Sequence, residues 1–314
     1  MTFNNSNILI TGGFGALGYN LIQYLTANYN CTIHVIDNFS AGHTNFSDKV
    51  VFTYVDIGNT EKLTTFFNNY HPNFIFHLAA HFANQNSVDH PLSDINTNVV
   101  GVVNLFETQK ENKELKKIIF ASSSCVYGNS NIMKEDTHVA PYDTPYAINK
   151  FVGELYCKYY AEIHAIPIVG ARIFNSFGPG EMPGQYRNVI PNFIHKALLN
   201  QTIKITGTGD ETRDFTYVAD TVDLLLKLAL SEYKLAEVFN GGTGNKVSIK
   251  KLAEKIIVLT ESKSEITYTA PRVWDHVKDR QANIEKSQEL LNYNPDYDFE
   301  LGLKKTIAWL KEKL

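Results

Sequence analysis

Near its start the chain runs from an apolar stretch, Ile8-Leu9-Ile10, into Thr11-Gly12-Gly13-Phe14-Gly15-Ala16-Leu17-Gly18 and then into a helical pattern opening with Tyr19-Asn20-Leu21. A strand that turns through closely spaced glycines into a helix has few possible uses. The glycines let the backbone turn tightly, and the helix start aims N–H groups and a positive dipole end at one spot, which suits a pyrophosphate. Asp37 closes the second strand pattern 19 residues after Gly18. A carboxylate there can accept from ribose hydroxyls, and the two features together are the fingerprint of a βαβ dinucleotide site. Asp37 would repel a 2′-phosphate, and Asn38 to Gly42 contain no arginine, so NAD is expected rather than NADP. Gly12, Gly15, Ala16, Leu17, Asp37 and Asn38 are the first candidate cofactor contacts.

The same alternation continues along the chain. Short β-branched runs at Ile8–Ile10, Ile33–Ile36, Val50–Phe52, Phe74–Phe76, Lys117–Phe120, Ile168–Ala171 and Val238–Phe239 read as strands. Helical patterns such as Leu17–Ala27 and Val99–Lys110 follow the first five, which predicts right-handed βαβ units and a doubly wound parallel (Rossmann) α/β sheet. Beyond Asn175, Pro179, Gly180, Pro183, Gly184 and Pro191 mark loops and the alternation lapses. We therefore expect a dinucleotide-binding domain over residues 1–174, rejoined by 215–240, and a second, smaller mixed α/β substrate domain over 175–314. A length of 314 residues at 44% hydrophobic content is enough for both. Phe299–Leu314 reads as a terminal helix.

Other classes are disfavoured. With 29 Lys plus Arg against 33 Asp plus Glu, the net charge of -4 lacks the basic excess of a nucleic-acid binder. No apolar run is long enough to span a membrane, and Met1 to Ser6 have no signal-peptide character, so a cytoplasmic protein is expected. Cys31, Cys125 and Cys157 are widely spaced, without a CxxC pair, and read as reduced thiols. His77 and His81 are four apart, but no glutamate lies between them and Phe74-Ile75-Phe76 before them reads as strand, so no metal site is expected.

The second chemical signal is Tyr146-Ala147-Ile148-Asn149-Lys150, preceded by Ser122-Ser123-Ser124 at the end of the fifth strand. Residues four apart on a helix share a face, so the Lys150 ammonium can lie near the Tyr146 phenol and favour its phenolate. A free phenol titrates near pH ~10 and needs that help to act as a base. Asp56-Ile57 after the third strand could hold an adenine ring, and Leu78-Ala79-Ala80 are small enough for a backbone passing over a bound dinucleotide. Asn98, Tyr146 and Lys150 complete the candidate cofactor set.

These stretches, with Val35–Asn38, Ser122–Gly128, Arg172–Pro179 and Gly207–Asp220, make the chain resemble the extended short-chain dehydrogenase/reductases, in particular the NAD-dependent nucleotide-sugar epimerase/dehydratase group. The resemblance implies that Ser123, four residues before the tyrosine of Val126-Tyr127-Gly128, is a catalytic hydroxyl beside Tyr146 and Lys150. It implies substrate contacts from Ser123, Ser124, Asn175, Asn188, Val189 and Arg213, and a second phosphate-binding arginine near the C-terminus. Arg272 and Arg280 compete for that place, with Arg272 preferred. The Asp-Glu pair of the 4,6-dehydratases and the glutamate of the uronate decarboxylases are replaced by Ser124-Cys125. Closest in pattern are the 4-epimerases, with a nucleoside-diphosphate sugar as ligand and a homodimer as the assembly. The alternatives are a 4-dehydrogenase that removes the C4 hydride for good, a dehydratase, and a dinucleotide sensor without chemistry.

Overall fold

The computed structural model describes residues 1–41, 50–130 and 133–314. Its centre is one seven-stranded parallel sheet: β1 (Asn7–Thr11), β2 (Thr32–Asp37), β3 (Val50–Tyr54), β4 (Phe74–His77), β5 (Lys117–Ser123), β6 (Ile168–Ile173) and β7 (Leu235–Gly241). The spatial order is β7-β6-β5-β4-β1-β2-β3, so the chain winds outward in both directions from β1 and β4. That reversal of direction opens a crevice at the carboxyl ends of the two strands.

Side chains on the central strands are buried on both faces, which is why those strands read as continuous apolar runs. Ile8, Ile10, Phe74, Phe76 and Val169 pack on one face against Leu21, Ile22 and Leu25 of helix α1 (Ala16–Asn28) and against Leu224, Leu225 and Leu228 of a later helix. Leu9, Ile75, Ile118 and Phe120 pack on the other against Leu105 and Phe106 of α2 (Gly101–Gln109) and Cys157 and Tyr160 of α3 (Pro145–His164). Each such side chain contributes about 1.5–3 kcal/mol on leaving water, so the sheet holds the crevice rigidly.

The helix expected after β2 would fall mainly within residues 42–49, outside the described residues. The pattern read as one helix from Val99 to Lys110 begins instead as a π-helical turn, Asn96–Val100, that runs into α2. α4 (Val218–Leu230) then leads into β7, which pairs in parallel with β6. A third core, with Phe177, Ile194, Phe215, Leu252 and Leu303, joins the helices Val189–Leu198, Ile249–Thr260 and Phe299–Lys311. Among the described residues no helix is long and apolar enough to cross a membrane.

Candidate active site

At the crevice lies a cavity of about 760 Å³ lined by the starts of α1 and α3, the ends of β2, β3, β4 and β5, and the loop from Asn175 to Asn188. Gly12 has φ +68°, and a Cβ there would lie 2.6 Å from Ala79 Cα. A side chain at that point would push β1 and the Leu78-Ala79-Ala80 segment apart. Gly15, Ala16 and Leu17 continue the floor, and the N-cap Gly15 supplies no side chain to the first helical turn. N–H groups at the start of α1 therefore meet the cavity with nothing else from a cap to bind, as a pyrophosphate requires.

Asp37 and Asn38 stand at the far end of the floor. The Asp37 carboxylate accepts from the Phe14 and Phe39 N–H groups at 2.9 and 2.8 Å, which fixes its orientation at the cavity. Asn38 Nδ2 donates to Asp56 at 2.8 Å, and Asp56 also accepts from Gly58 N–H, so Asp56 and Ile57 line the cavity as a held pair. Leu78, Ala79 and Ala80 form the facing wall. Cradle, carboxylate and small-residue wall together fit NAD.

At the other end, α3 and β5 converge. Thr144 caps α3 by accepting from Ala147 N–H at 3.2 Å, and Ser87 Oγ accepts from Tyr146 N–H at 3.0 Å. These contacts hold Tyr146 at the end of the cavity that Ser123 also lines. Lys150 Nζ donates to Ala121 O at 2.9 Å and lies 5.7 Å from the centre of the Tyr146 ring. Ser123, Ser124, Tyr146 and Lys150 thus meet in one cavity.

Burial dominates the electrostatics. It pushes the Tyr146 phenol well above its usual range, helped by the Cys125 thiol and Asp94 and opposed by the Ser123 hydroxyl. Burial also pulls the Lys150 ammonium down to about 8, against the raising influence of Asp94. The lysine alone does not produce a ready phenolate. His77 is lowered to about 3 by burial and then by Lys150, so it is a neutral ring, 2.8 Å from Thr11 Oγ1.

Several expected contacts stand elsewhere. Asn98 does not line the cavity: it is 1% exposed, donates to His81 O and Asp94 Oδ1, and accepts from His81 N–H, so it braces the wall from behind. Asn175 and Asn188 do line it, the first donating to Asp214 O, the second bonded through N–H and Nδ2 to the buried Glu181 carboxylate. Val189 opens its helix and packs into the third core instead. Arg272 is exposed, on a turn closed by Asp275 N–H to its own carbonyl, with its guanidinium over Trp274. Arg280, which competed with it, is buried, pairs in strand register with Arg213 and donates to Ser124 Oγ at 3.3 Å.

Arg213 itself lies outside the cavity lining, with Nη2 3.4 Å from Asp275. Arg187, Glu181, Asn84 and Cys125 line the cavity without having been singled out as contacts. Arg187 Nη2 reaches across to Ala41 O at 2.8 Å, joining loops 146 residues apart. No local pattern could have announced it.

A dinucleotide cradle with a hydroxyl, a phenol and an ammonium at its far end defines a class, the dinucleotide-dependent enzymes that act on alcohols. A model of the NAD dependent epimerase/dehydratase family matches residues 8–242. The chain is 33% identical to a putative UDP-glucose 4-epimerase of Methanocaldococcus jannaschii, over 97% of this chain and 98% of that one. It is 31% identical to a UDP-N-acetyl-alpha-D-glucosaminuronate decarboxylase of Bacillus cytotoxicus, over 97% of each. The solved structure of an epimerase from Methanothermobacter thermautotrophicus matches at a TM-score of 0.94 and 37% identity, covering 99% and 94% of the two chains. The chain belongs to the NAD-dependent epimerase/dehydratase family. It is an NAD-dependent enzyme of nucleotide sugars.

Proposed function

We propose that the chain is a nucleotide-sugar 4-epimerase. The observation that carries this reading is the meeting of Ser123, Tyr146 and Lys150 in one cavity with Ser124 and Cys125 as the next residues along. Elimination of water or loss of a carboxylate calls for further acid/base groups beside the hydroxyl, and a serine and a thiol do that work poorly at neutral pH.

In this mechanism Tyr146 receives the proton of the sugar C4 hydroxyl, directly or through Ser123, and later gives it back. NAD, which Gly12, Gly15, Asp37 and Lys150 would hold, would supply the acceptor for the C4 hydride and a positive charge at that end of the cavity. That charge and the Lys150 ammonium act in the same direction against the burial that holds the phenol protonated. Ser123, fixed by the Cys125 N–H that donates to it at 3.2 Å, orients the C4 oxygen. Asn175, Asn188 and Arg213 hold the diphosphate and nucleoside while the oxidised ring turns about its diphosphate linkage. With the ring turned, its opposite face would take back the hydride, so C4 would invert with no net redox change.

The test is to incubate purified protein with UDP, GDP, CDP and dTDP sugars and to follow C4 stereochemistry by NMR. Two C4 epimers should equilibrate without accumulation of NADH. Steady NADH formation would instead assign a 4-dehydrogenase, and release of CO₂ a decarboxylase.

The assembly we propose is a homodimer through α3 and the segment before α2. Ile148, Leu155, Tyr159 and Ile163 are all exposed on α3 at helical spacing, beside the exposed Leu92, Ile95 and Val100. An apolar stripe of this kind on a protein surface marks an interface. Leu155→Glu combined with Ile163→Glu should convert a dimer to a monomer in sedimentation equilibrium; a monomeric parent would end this proposal.

A further inference from the structure

Arg280 is a charged side chain that the fold has buried without a counter-charge in contact. It is 6% exposed, and among the described residues it makes no ion pair, its one side-chain hydrogen bond being to Ser124 Oγ at 3.3 Å. Its register partner Arg213 takes Asp275 at 3.4 Å. Asp143 feels the field of Arg280, yet its Oδ2 has no hydrogen-bond partner, so it does not close on the guanidinium. A buried guanidinium lacking a carboxylate is costly unless an anion arrives from outside. Arg280 stands just behind the cavity lining, which it meets through the Ser124 hydroxyl to which it donates.

Two anions are available on a nucleotide sugar, and position separates them. Ser124 adjoins Ser123, and both line the cavity with Tyr146, so the Arg280 guanidinium, bonded to Ser124, ends one residue from the hydroxyl proposed to meet C4. On a pyranose, C5 and its exocyclic carbon adjoin C4, whereas the diphosphate hangs from C1 across the ring. Resting on the nucleotide-sugar reading above, we infer that Arg280 receives a carboxylate carried at C5, so that the enzyme takes uronate-type nucleotide sugars in preference to neutral hexoses. Arg213, the other guanidinium of the pair, is left for the diphosphate. As the oxidised ring turns about its linkage the carboxylate must swing, and Arg280 holds it in one of the two poses. A planar fork suits a carboxylate better than an ammonium would, because both oxygens can be engaged at once.

The experiment compares UDP-glucose with UDP-glucuronate, which share nucleotide and ring, in the parent, Arg280→Gln and Arg280→Lys. Dissociation constants are measured by calorimetry and turnover by NMR, with NAD binding and thermal melts as checks on folding. The parent should favour the uronate in kcat/KM by about 100-fold, and Arg280→Gln should lose about 100-fold on the uronate and less than about 3-fold on UDP-glucose. Arg280→Lys should fall between the two. Equal losses on both substrates would move Arg280 to the diphosphate and overturn the inference, as would a parent that prefers UDP-glucose. The two readings fail separately. Selective uronate binding without C4 exchange would end the epimerase reading and keep the carboxylate site, whereas C4 exchange without selectivity would do the reverse.

Discussion

Tyr146→Phe should bind NAD as the parent does and lose about 10³-fold or more in kcat. The substitution removes one oxygen and leaves the ring in its buried place, 7% exposed, with its edge toward Phe82. Ser123 carries an aliphatic hydroxyl, too weak an acid to replace a phenol, and His77 is outside the cavity lining with its Nδ1 held against Thr11 at 2.8 Å. Substantial residual turnover would remove the phenol from its role. The parent should also show an alkaline limb. Lys150 is held down to about 8 by burial, so its charge is present at neutral pH and is lost above it, and kcat/KM should decline there. The sign for stability is opposite. An ammonium whose folded value is depressed from 10.5 opposes folding below about pH 8, and that opposition is released as pH rises from about 8 toward 10.5.

Arg172→Leu should be the most destabilising single change, costing about 3–5 kcal/mol in denaturant unfolding. Arg172 on β6 is 4% exposed and grips Glu154 through Nε at 3.0 Å and Nη2 at 2.8 Å, with Ser122 Oγ donating to the same carboxylate at 2.5 Å. Its guanidinium also lies 4.7 Å from the centre of the Tyr127 ring. Removing the cation leaves Glu154 buried beside an apolar side chain. The double variant Arg172→Leu, Glu154→Leu should recover much of the loss, because the orphaned charge goes with it. If the double variant were no more stable than the single one, packing around Tyr127 would outweigh the ion pair. Glu154 lies two turns beyond Tyr146 on α3, so this ion pair also ties that helix to β5 and β6.

The sheet was legible because its strands are buried on both faces and so read as short apolar runs between glycine and proline breaks. The glycine turn and Asp37 were legible for the opposite reason, since each is a local backbone or charge requirement that sequence records directly. What escaped depends on long-range pairing. Arg272 and Arg280 are eight residues apart in one polar stretch, and only the short strand Asp279–Arg280, paired with Thr212–Arg213, decides which of them turns inward. Asn98 stands behind the wall rather than in the lining, and its residue type does not tell an amide that braces a backbone from one that meets a ligand. The Glu154 spacing after Lys150 is visible in the sequence, but its partner comes from another strand. Arg187 and Glu181 sit on a loop whose path no periodicity describes.

The position of β7 bears on how the molecule is made. The sheet that holds the NAD cradle is completed at one edge by residues 235–241, so about three quarters of the chain must leave the ribosome before that edge can close. Until then β6 presents an open row of amides, ready to pair with a neighbouring nascent chain. Fragments ending near residue 174 should accordingly aggregate rather than persist as a free cofactor-binding module.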